Sequence, residues 1–513
     1  MMRRARKPTW GVIGIAFVMI LGGCAQGPQV GLVDEYRNYY QIFVGSFADS
    51  DGNGLGDLNG ITEKLDYIRY DLGVDGIWLT PINPSPTYHK YDVTNYKGID
   101  PQFGTILDFR RFLEEAHERG IRVLIDLVIQ HTSWEHPWFT EAIKALKSGV
   151  ESPYVDYYYF GSEPHEGYAQ YKDTNIYYDA EFVAEMPDLN VKNPVVREEI
   201  ASIVEFWLNE GVDGFRLDAT THLLPSDPGG EKEFFEWLNA TCTQINPDAY
   251  LVGEAWTWAD RIVSYYESGI PSFFNYPFYV DDTINTALQA KDGATLATAI
   301  EAWNQRLDDA HPSAIDAPFI SNHDINRPAS HLAWNLTRGK LSAAIYLLMP
   351  GNPFIYYGEE IGMVGSGIDQ NKRMPMVWST TDTTSMPNPP HYADYDMSAV
   401  VGVDVQREDP GSLLNFYHEV LELKVKYPAI ARGKYAALDT ERAILGWRSD
   451  YNKRVIYVFE NLSDATVTQS LTDLGIKSAV TVRDTLLPAG DDQIPTLDKR
   501  VLTLPPYTVA VVG

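Results

Sequence analysis

Short apolar segments alternate with amphipathic segments between residues 35 and 433. The apolar segments are rich in β-branched and aromatic residues, as expected of strands that are buried on both faces. We predict eight strands, at residues 41–44, 76–79, 122–128, 214–218, 250–254, 273–274, 319–321 and 353–357. Helical spacing of apolar residues predicts crossover helices such as 61–70, 108–118, 195–209 and 296–308. This alternation predicts an α/β fold of the (β/α)8 TIM-barrel type.

Two stretches depart from the alternating pattern. Residues 134–187, after the third predicted strand, are too long for an ordinary connection and predict a small domain inserted over the barrel mouth. Residues 434–513 contain short apolar runs after a predicted helix at 413–426, which indicates a C-terminal antiparallel β-sandwich. The catalytic barrel is then expected to comprise residues 35–133 and 188–433.

The N-terminal residues have the pattern of a secretory signal. A basic cluster precedes an apolar stretch at 10–21 that is too short to span a membrane. Residues 21–24 (LGGC) resemble a bacterial lipobox, so we expect residues 1–23 to be removed, Cys24 to be lipidated and residues 24–34 to form a tether. The protein is then exported and lipid-anchored to the bacterial cell envelope, with release outside the cell as an alternative. A simpler interpretation is an ordinary signal in which Cys24 is incidental.

Composition and charge limit the kinds of partner and substrate that we expect. The chain carries 41 Lys and Arg against 70 Asp and Glu, a formal net charge of −29 that is spread along the sequence. Such an acidic surface argues against nucleic acid as a partner and suits a neutral substrate. The two cysteines, one of them in the lipobox, leave no structural disulfide. We expect a monomer.

Acidic residues stand where three predicted strands end. Asp218 and Glu254 close the strands at 214–218 and 250–254, and Asp324 follows the strand at 319–321. The carboxyl ends of barrel strands form the catalytic face, so the three carboxylates are expected to converge. A retaining glycosidase needs one carboxylate to attack the sugar and one carboxylic acid to protonate the departing oxygen.

Four stretches resemble, in order, the signature segments of the α-amylase family of glycoside hydrolases, glycoside hydrolase family 13. They are residues 126–131 (DLVIQH), 214–222 (GFRLDATTH), 253–256 (GEAW) and 320–324 (ISNHD). The resemblance implies that Asp218 is the nucleophile, that Glu254 is the general acid/base and that Asp324 binds hydroxyl groups of the distorted sugar. It further implies that Tyr91 stacks on the sugar and that His131 and His323 bind its hydroxyls. Arg216, in the same substrate-binding set, would orient Asp218 and keep it ionised.

The loop after the first predicted strand contains oxygen donors at alternate positions, separated by glycines. Hard oxygen ligands at this spacing suit Ca²⁺. The expected ligands are Asp49, Asp51, Asn53 and Asp57, with Leu55 contributing its backbone carbonyl. The site would be structural. A plain Gly/Asp turn without an ion is the alternative.

Finer details of the resemblance bear on specificity. Residues 186–190 (MPDLN) resemble a subgroup intermediate between oligo-1,6-glucosidases and neopullulanases that includes lipoprotein α-amylases. Gln130 stands where many relatives have Asn, which weakens the expectation of a second calcium site. Thr221 replaces a Lys that helps relatives bind the leaving group, and Ala219 replaces the Val that is typical of oligo-1,6-glucosidases.

The leading functional hypothesis is therefore an α-1,4-acting hydrolase of starch, glycogen or maltooligosaccharides. Within the same fold, an oligo-α-1,6-glucosidase, a neopullulanase or a transglycosylase is the alternative. A non-catalytic surface glucan-binding protein is the alternative from another class, and the presence of Asp218, Glu254 and Asp324 argues against it.

Overall fold

The computed structural model describes residues 34–224, 227–331, 335–490 and 493–513. The predicted signal peptide, the lipobox and Cys24 lie outside these ranges. Within them, no helix combines the length and apolar character that crossing a bilayer requires.

A curled parallel sheet forms the centre of the molecule. The last strand pairs with the first, and the remaining strands follow in chain order. The strands are Tyr39–Ile42, Gly76–Leu79, Arg122–Leu127, Gly214–Leu217, Tyr250–Gly253, Ser272–Phe273 and Phe354–Tyr356. Each is buried along its whole length, as predicted from the apolar composition.

The barrel closes through a segment that is not a regular strand. The predicted strand at 319–321 is wrong in position, because residues 315–318 contact both neighbouring strands instead. Ala317 accepts a hydrogen bond from Asn275 N at 3.0 Å, and Pro318 O accepts one from Phe354 N at 2.9 Å. Pro318 has no backbone N–H, so a continuous ladder cannot form here. With this segment in seventh place, the (β/α)8 architecture is confirmed.

Helices cover the outside of the barrel and begin at recognisable caps. Thr105 and Asp108 form a capping box at the start of the helix Ile106–Glu118. Asn193 caps the helix Pro194–Glu210. The larger outer helices are Leu58–Glu63, the π-helix Tyr67–Leu72, Ile106–Glu118, Pro194–Glu210, Pro228–Ile245, Ala259–Tyr266, Thr283–Ala290, Gly293–Ala310, Leu336–Leu347 and Leu413–Lys426. The predicted helix at 61–70 is thus split in two, whereas that at 413–426 has the predicted bounds.

Shorter helical segments lie in the loops of the barrel. Several follow strand ends and so shape the barrel mouth. They are Val44–Phe47, Thr220–His222, Tyr276–Val280, Pro328–His331, Glu359–Ile361, Asp369–Lys372, Val403–Glu408 and Pro428–Arg432.

The long connection at 134–187 has secondary structure of its own. It contains the helices Pro137–Ser148 and Pro153–Tyr157 and an antiparallel sheet of Phe160–Gly161, Tyr177–Asp179 and Tyr168–Gln170. Isolated bridges join His131 to Asp188 and Tyr158 to Leu189, where the chain returns to the barrel. These bridges fix the segment 180–187 beside the barrel mouth.

Residues 434–513 form two antiparallel sheets. In spatial order, the larger sheet comprises Lys434–Ala437, Ile444–Tyr451, Arg454–Asn461, Val509–Val512 and Val482–Leu486, and the smaller comprises Val467–Ser470, Val501–Leu504 and Thr496–Asp498. Alternate residues of the larger sheet face different cores. Ile444 and Phe459 pack with Leu502 between the sheets, whereas Leu445 and Val458 join the core of the barrel. This arrangement is the predicted β-sandwich.

Candidate active site

The three predicted carboxylates meet in one cavity at the carboxyl ends of the barrel strands. Asp218 and Glu254 directly follow the strands Gly214–Leu217 and Tyr250–Gly253, and Asp324 follows the segment that closes the barrel. All three line a cavity of about 440 Å³, the catalytic cavity. Its other lining residues are His89, Tyr91, His131, Phe182, Val183, Met186, Ala219, Thr221, His222, Trp256, Asp369 and Arg373.

Arg216 links the carboxylates from beneath the cavity. Its Nη1 lies 2.6 Å from Asp218 Oδ1, and its Nη2 lies 2.7 Å from Glu254 Oε1. Asp126 binds the same guanidinium, because strand register places Asp126 directly opposite Arg216. Side chains two residues apart on a strand share a face, so Arg216 and Asp218 both point into the barrel.

Burial and mutual repulsion shape the ionisation of the two central carboxyl groups. Burial raises the pKa of Glu254; Arg216 opposes this effect, while Asp218 and Asp324 add to it. Burial also raises the pKa of Asp218, and the direct ion pair with Arg216 opposes this rise. Glu254 additionally accepts hydrogen bonds from Ala219 N at 3.1 Å and Tyr276 Oη at 3.1 Å. Burial and the neighbouring carboxylates thus raise the pKa of both groups, and Arg216 opposes this rise.

Asp324 has a different environment. Arg373 Nη2 lies 2.7 Å from its Oδ1, and His323 Nε2 lies 3.1 Å from its Oδ2. Burial opposes ionisation, but His323, Arg373 and Arg216 together hold the pKa of Asp324 below its usual value. Asp324 is thus the carboxylate best suited to remain charged.

An aromatic wall flanks the carboxylates. The rings of Tyr91 and His323 are stacked at 5.4 Å, and Tyr91 Oη lies 2.7 Å from His323 Nε2. Gln41 Nε2 contacts His323 Nδ1 at 2.7 Å, which fixes the orientation of this imidazole. Burial lowers the pKa of His323 to about 3 and that of His131 to about 4, so both rings are neutral. Neutral imidazoles suit contact with uncharged hydroxyls.

All seven predicted catalytic and sugar-binding residues are brought together, at two depths. The three carboxylates, Tyr91 and His131 line the cavity, whereas Arg216 and His323 lie behind the lining and contact it. Among the departures from the family pattern, Thr221 lines the cavity and the Gln130 amide oxygen lies 2.7 Å from His131 Nδ1.

Several residues of the site were not predicted from the sequence. Asp369 begins the short helix Asp369–Lys372, and Arg373 directly follows that helix. Tyr276 begins the helix Tyr276–Val280 after the sixth strand. Loops at the carboxyl ends of barrel strands are where such residues are expected, but these loops lie outside the four signature segments. Phe182, from the long connection, contacts His131 with ring centroids 5.6 Å apart.

The predicted calcium loop gathers three carboxylates. Oxygen atoms of Asp49, Asp51 and Asp57 all lie within 4.8 Å of one another. Gly52 and Gly54, with φ of 77° and 90°, let the loop fold back so that both donate backbone N–H groups to Asp49. Asn53 lies in the same loop and donates its side-chain amide to Asp51 at 3.1 Å. Leu55 donates its backbone N–H to Asn53. A compact set of hard oxygen donors fits a Ca²⁺ ion.

Comparison with known proteins identifies the family. Residues 41–433 match the α-amylase catalytic domain. The chain is 40% identical to alpha-amylase 3 of Dictyoglomus thermophilum, over 83% of this chain and 85% of that protein. It is 29% identical to an oligo-1,6-glucosidase of Parageobacillus thermoglucosidasius, over 85% of this chain and 91% of that protein. The solved structure of Eubacterium rectale Amy13B superposes with a TM-score of 0.88 at 39% identity and covers 94% of this chain and 96% of that one. The chain therefore belongs to the α-amylase family of glycoside hydrolases.

Proposed function

We propose that the protein hydrolyses α-1,4-glucosidic bonds in starch, glycogen or maltooligosaccharides with retention of anomeric configuration. The observation that carries this proposal is the pairing of Asp218 and Glu254 with one guanidinium at the base of a single cavity. The greater identity to an α-amylase than to an oligo-1,6-glucosidase supports the α-1,4 preference.

In the first step, a carboxylate oxygen of Asp218 attacks the anomeric carbon. The bond from this carbon to the glycosidic oxygen breaks, and the proton of Glu254 passes to that oxygen. In the second step, Glu254 takes a proton from water, the water oxygen attacks the same carbon, and Asp218 is released. The raised pKa of Glu254 suits an acid that must be protonated before the first step.

The surrounding residues have supporting roles. Arg216 holds Asp218 by a 2.6 Å ion pair and favours its ionised form. Asp324 carries a negative charge beside the reacting sugar, where it can accept hydrogen bonds from hydroxyls and stabilise positive charge on the ring. Tyr91 and His131 line the same cavity and provide an aromatic surface and a neutral imidazole for the sugar.

The first experiment is the product profile of the mature protein on soluble starch, panose and pullulan, followed by chromatography. A spread of maltooligosaccharides from starch early in the reaction supports an endo-acting α-amylase. Release of glucose from panose, with starch left intact, would move the assignment to an α-1,6-acting oligosaccharidase.

The pH profile should respond to Asp324. The acidic limb of kcat/KM follows ionisation of Asp218 and the alkaline limb follows deprotonation of Glu254. Because the charge of Asp324 raises the pKa of both groups, Asp324→Asn lowers both pKa values and should move both limbs to lower pH. The measurement is residual kcat/KM on maltoheptaose between pH 4 and 9.

Asp369→Asn is the matched control for this shift, since it removes a carboxylate from the rim of the same cavity. Its limbs should stay at the wild-type pH values. Limbs that move upward in Asp324→Asn, or that move equally in both variants, would contradict the assignment.

We further propose that the loop at 49–57 holds a structural Ca²⁺ ion, with Asp49, Asp51 and Asp57 as carboxylate ligands and Asn53 and Leu55 as the remaining ones. Three carboxylates in one small loop repel one another, and a bound cation removes that repulsion. The ion would stabilise the loop after the first strand and would take no part in the chemistry. None of these loop residues would contact the glucan substrate.

A chelator should consequently lower the melting temperature by a few degrees, because an ion that binds the folded state stabilises it. Asp51→Asn should melt lower in calcium and respond less to the chelator. Asp173→Asn, an exposed carboxylate elsewhere, should behave as wild type. A melting temperature that is the same with and without chelator would contradict calcium binding.

We also propose export and anchoring through a diacylglyceryl group on Cys24, on the sequence pattern of residues 1–24. Several acyl chains on one residue give a durable anchor. In a bacterial host, radiolabelled palmitate should be incorporated into the wild-type protein and not into Cys24→Ser. Equal labelling of both would rule this out.

A further inference from the structure

The first residues that the structure describes are fixed against one end of the barrel. Asp34 forms an ion pair with Arg432, and its backbone carbonyl accepts a hydrogen bond from Arg122 Nη1 at 3.3 Å. The backbone carbonyl of Glu35 accepts one from Asn352 Nδ2 at 2.8 Å. The chain therefore enters the described structure at a fixed point.

This entry point lies at the amino-terminal ends of the barrel strands. Arg122 begins the third strand, and its guanidinium also donates to the backbone carbonyls of Asp213 and Asp248, which precede the fourth and fifth strands. Asn352 precedes the eighth strand. The catalytic cavity lies at the carboxyl ends of the same strands. The entry point and the cavity are thus on opposite faces of the barrel.

A hairpin of the C-terminal sandwich lies beside the entry point. Tyr451 of this hairpin interacts electrostatically with Arg432. Lys453 and Arg454, at the hairpin tip, are exposed. Their positive charge offsets acids of the same face, such as Glu35, in a chain whose formal net charge is −29. The surface that we call the anchor face comprises residues 34–36, Arg432 and the hairpin tip 452–454.

The tether is too short to bring the opposite face to a membrane. Ten peptide bonds separate Cys24 from Asp34. Ten residues span at most about 35 Å when fully extended. A compact chain of about 490 residues has a radius of gyration of about 23 Å, which corresponds to a diameter of about 60 Å. An anchor on Cys24 therefore keeps Asp34 within about 35 Å of the bilayer, whereas a cavity that faced the bilayer would hold Asp34 about 60 Å away.

We propose that the anchor face of the lipidated protein lies toward the bilayer and that the catalytic cavity opens away from it. The partner of the anchor face is a lipid surface with anionic head groups, which attracts Lys453 and Arg454. This inference rests on the proposed lipidation of Cys24. Together with the proposed hydrolysis, it means that a long glucan reaches the cavity from the surrounding solution and does not have to enter the gap between protein and membrane.

The test places an anchor at residue 24 and measures energy transfer to the bilayer. In the mature chain, a hexahistidine tag replaces Cys24 and binds nickel-chelating lipid in vesicles of phosphatidylcholine and phosphatidylglycerol that also contain a rhodamine-labelled lipid. A donor dye is attached through Lys453→Cys on the anchor face or through Trp258→Cys beside the cavity, where the native side chain is 73% exposed. Cys242 is fully buried and does not compete for the dye. Transfer from position 453 should be several times that from position 258.

Glu205→Cys, on the exposed side of the helix Pro194–Glu210, is the matched control and should give intermediate transfer. The melting temperature of each labelled variant shows that it is folded. Equal transfer from positions 453 and 258, or more transfer from 258 or 205 than from 453, would overturn the proposal.

The tag keeps this proposal distinct from those on which it rests. If Cys24 is not lipidated in a bacterial host, or if the protein cleaves no α-glucan, those proposals are wrong. The transfer measurement still shows which face an anchor at residue 24 turns toward the bilayer. Protein acylated on Cys24 should reproduce the same ratio in the same vesicles without the tag, and a reversed ratio would refute the orientation.

Discussion

Asp218→Asn should abolish glucan hydrolysis while the protein remains folded. The substitution removes the attacking carboxylate but keeps the size of the side chain and a hydrogen bond to Arg216, so the cavity retains its shape. Loss of the nucleophile lowers kcat by about 10⁴-fold or more in enzymes that act through a covalent intermediate. The measurement is kcat on soluble starch and maltoheptaose, together with the melting temperature.

The same strand provides a matched control at its other end. Asp213 directly precedes the strand Gly214–Leu217 and accepts a hydrogen bond from Val123 N at 2.7 Å. Residues at the amino-terminal ends of barrel strands contribute to stability, whereas the catalytic residues lie at the carboxyl ends. Asp213→Asn should therefore melt at a lower temperature with an unchanged kcat. Hydrolysis by Asp218→Asn at a rate near that of wild type would rule out the proposed nucleophile.

Glu254→Ala should lose activity in a way that depends on the leaving group. With starch, the departing oxygen needs a proton, and loss of a general acid costs about 10²–10⁴-fold. With α-maltosyl fluoride, the first step needs no proton and the fall should be smaller. Azide should then accelerate the reaction and give α-maltosyl azide, because the space left by Glu254 admits an anion that needs no base.

Glu205→Ala, on the exposed face of the helix Pro194–Glu210, is the control and should match wild type on both substrates. Equal losses of Glu254→Ala on starch and on the fluoride, with no response to azide, would assign the acid/base role to another residue. Formation of β-maltosyl azide would indicate that Glu254 is the nucleophile instead.

The sequence by itself located most of the barrel and the residues at its catalytic face. The strand Gly76–Leu79 and the helix Leu413–Lys426 have their predicted bounds. Strands that are buried on both faces are continuously apolar, and this signal is local. Asp218 and Glu254 could be placed in one cavity because parallel barrel strands all end at the same face.

The tertiary structure alone decided which partners tune these groups. Asp324 is paired with Arg373, 49 residues away, and His323 is oriented by Gln41, 282 residues away. Tyr276 contacts Glu254 from a loop without a recognised signature, and residues 315–318 rather than 319–321 close the barrel. A local pattern reports the burial of a segment, whereas the charge and hydrogen bonding at a buried carboxyl group depend on which distant segments fold against it.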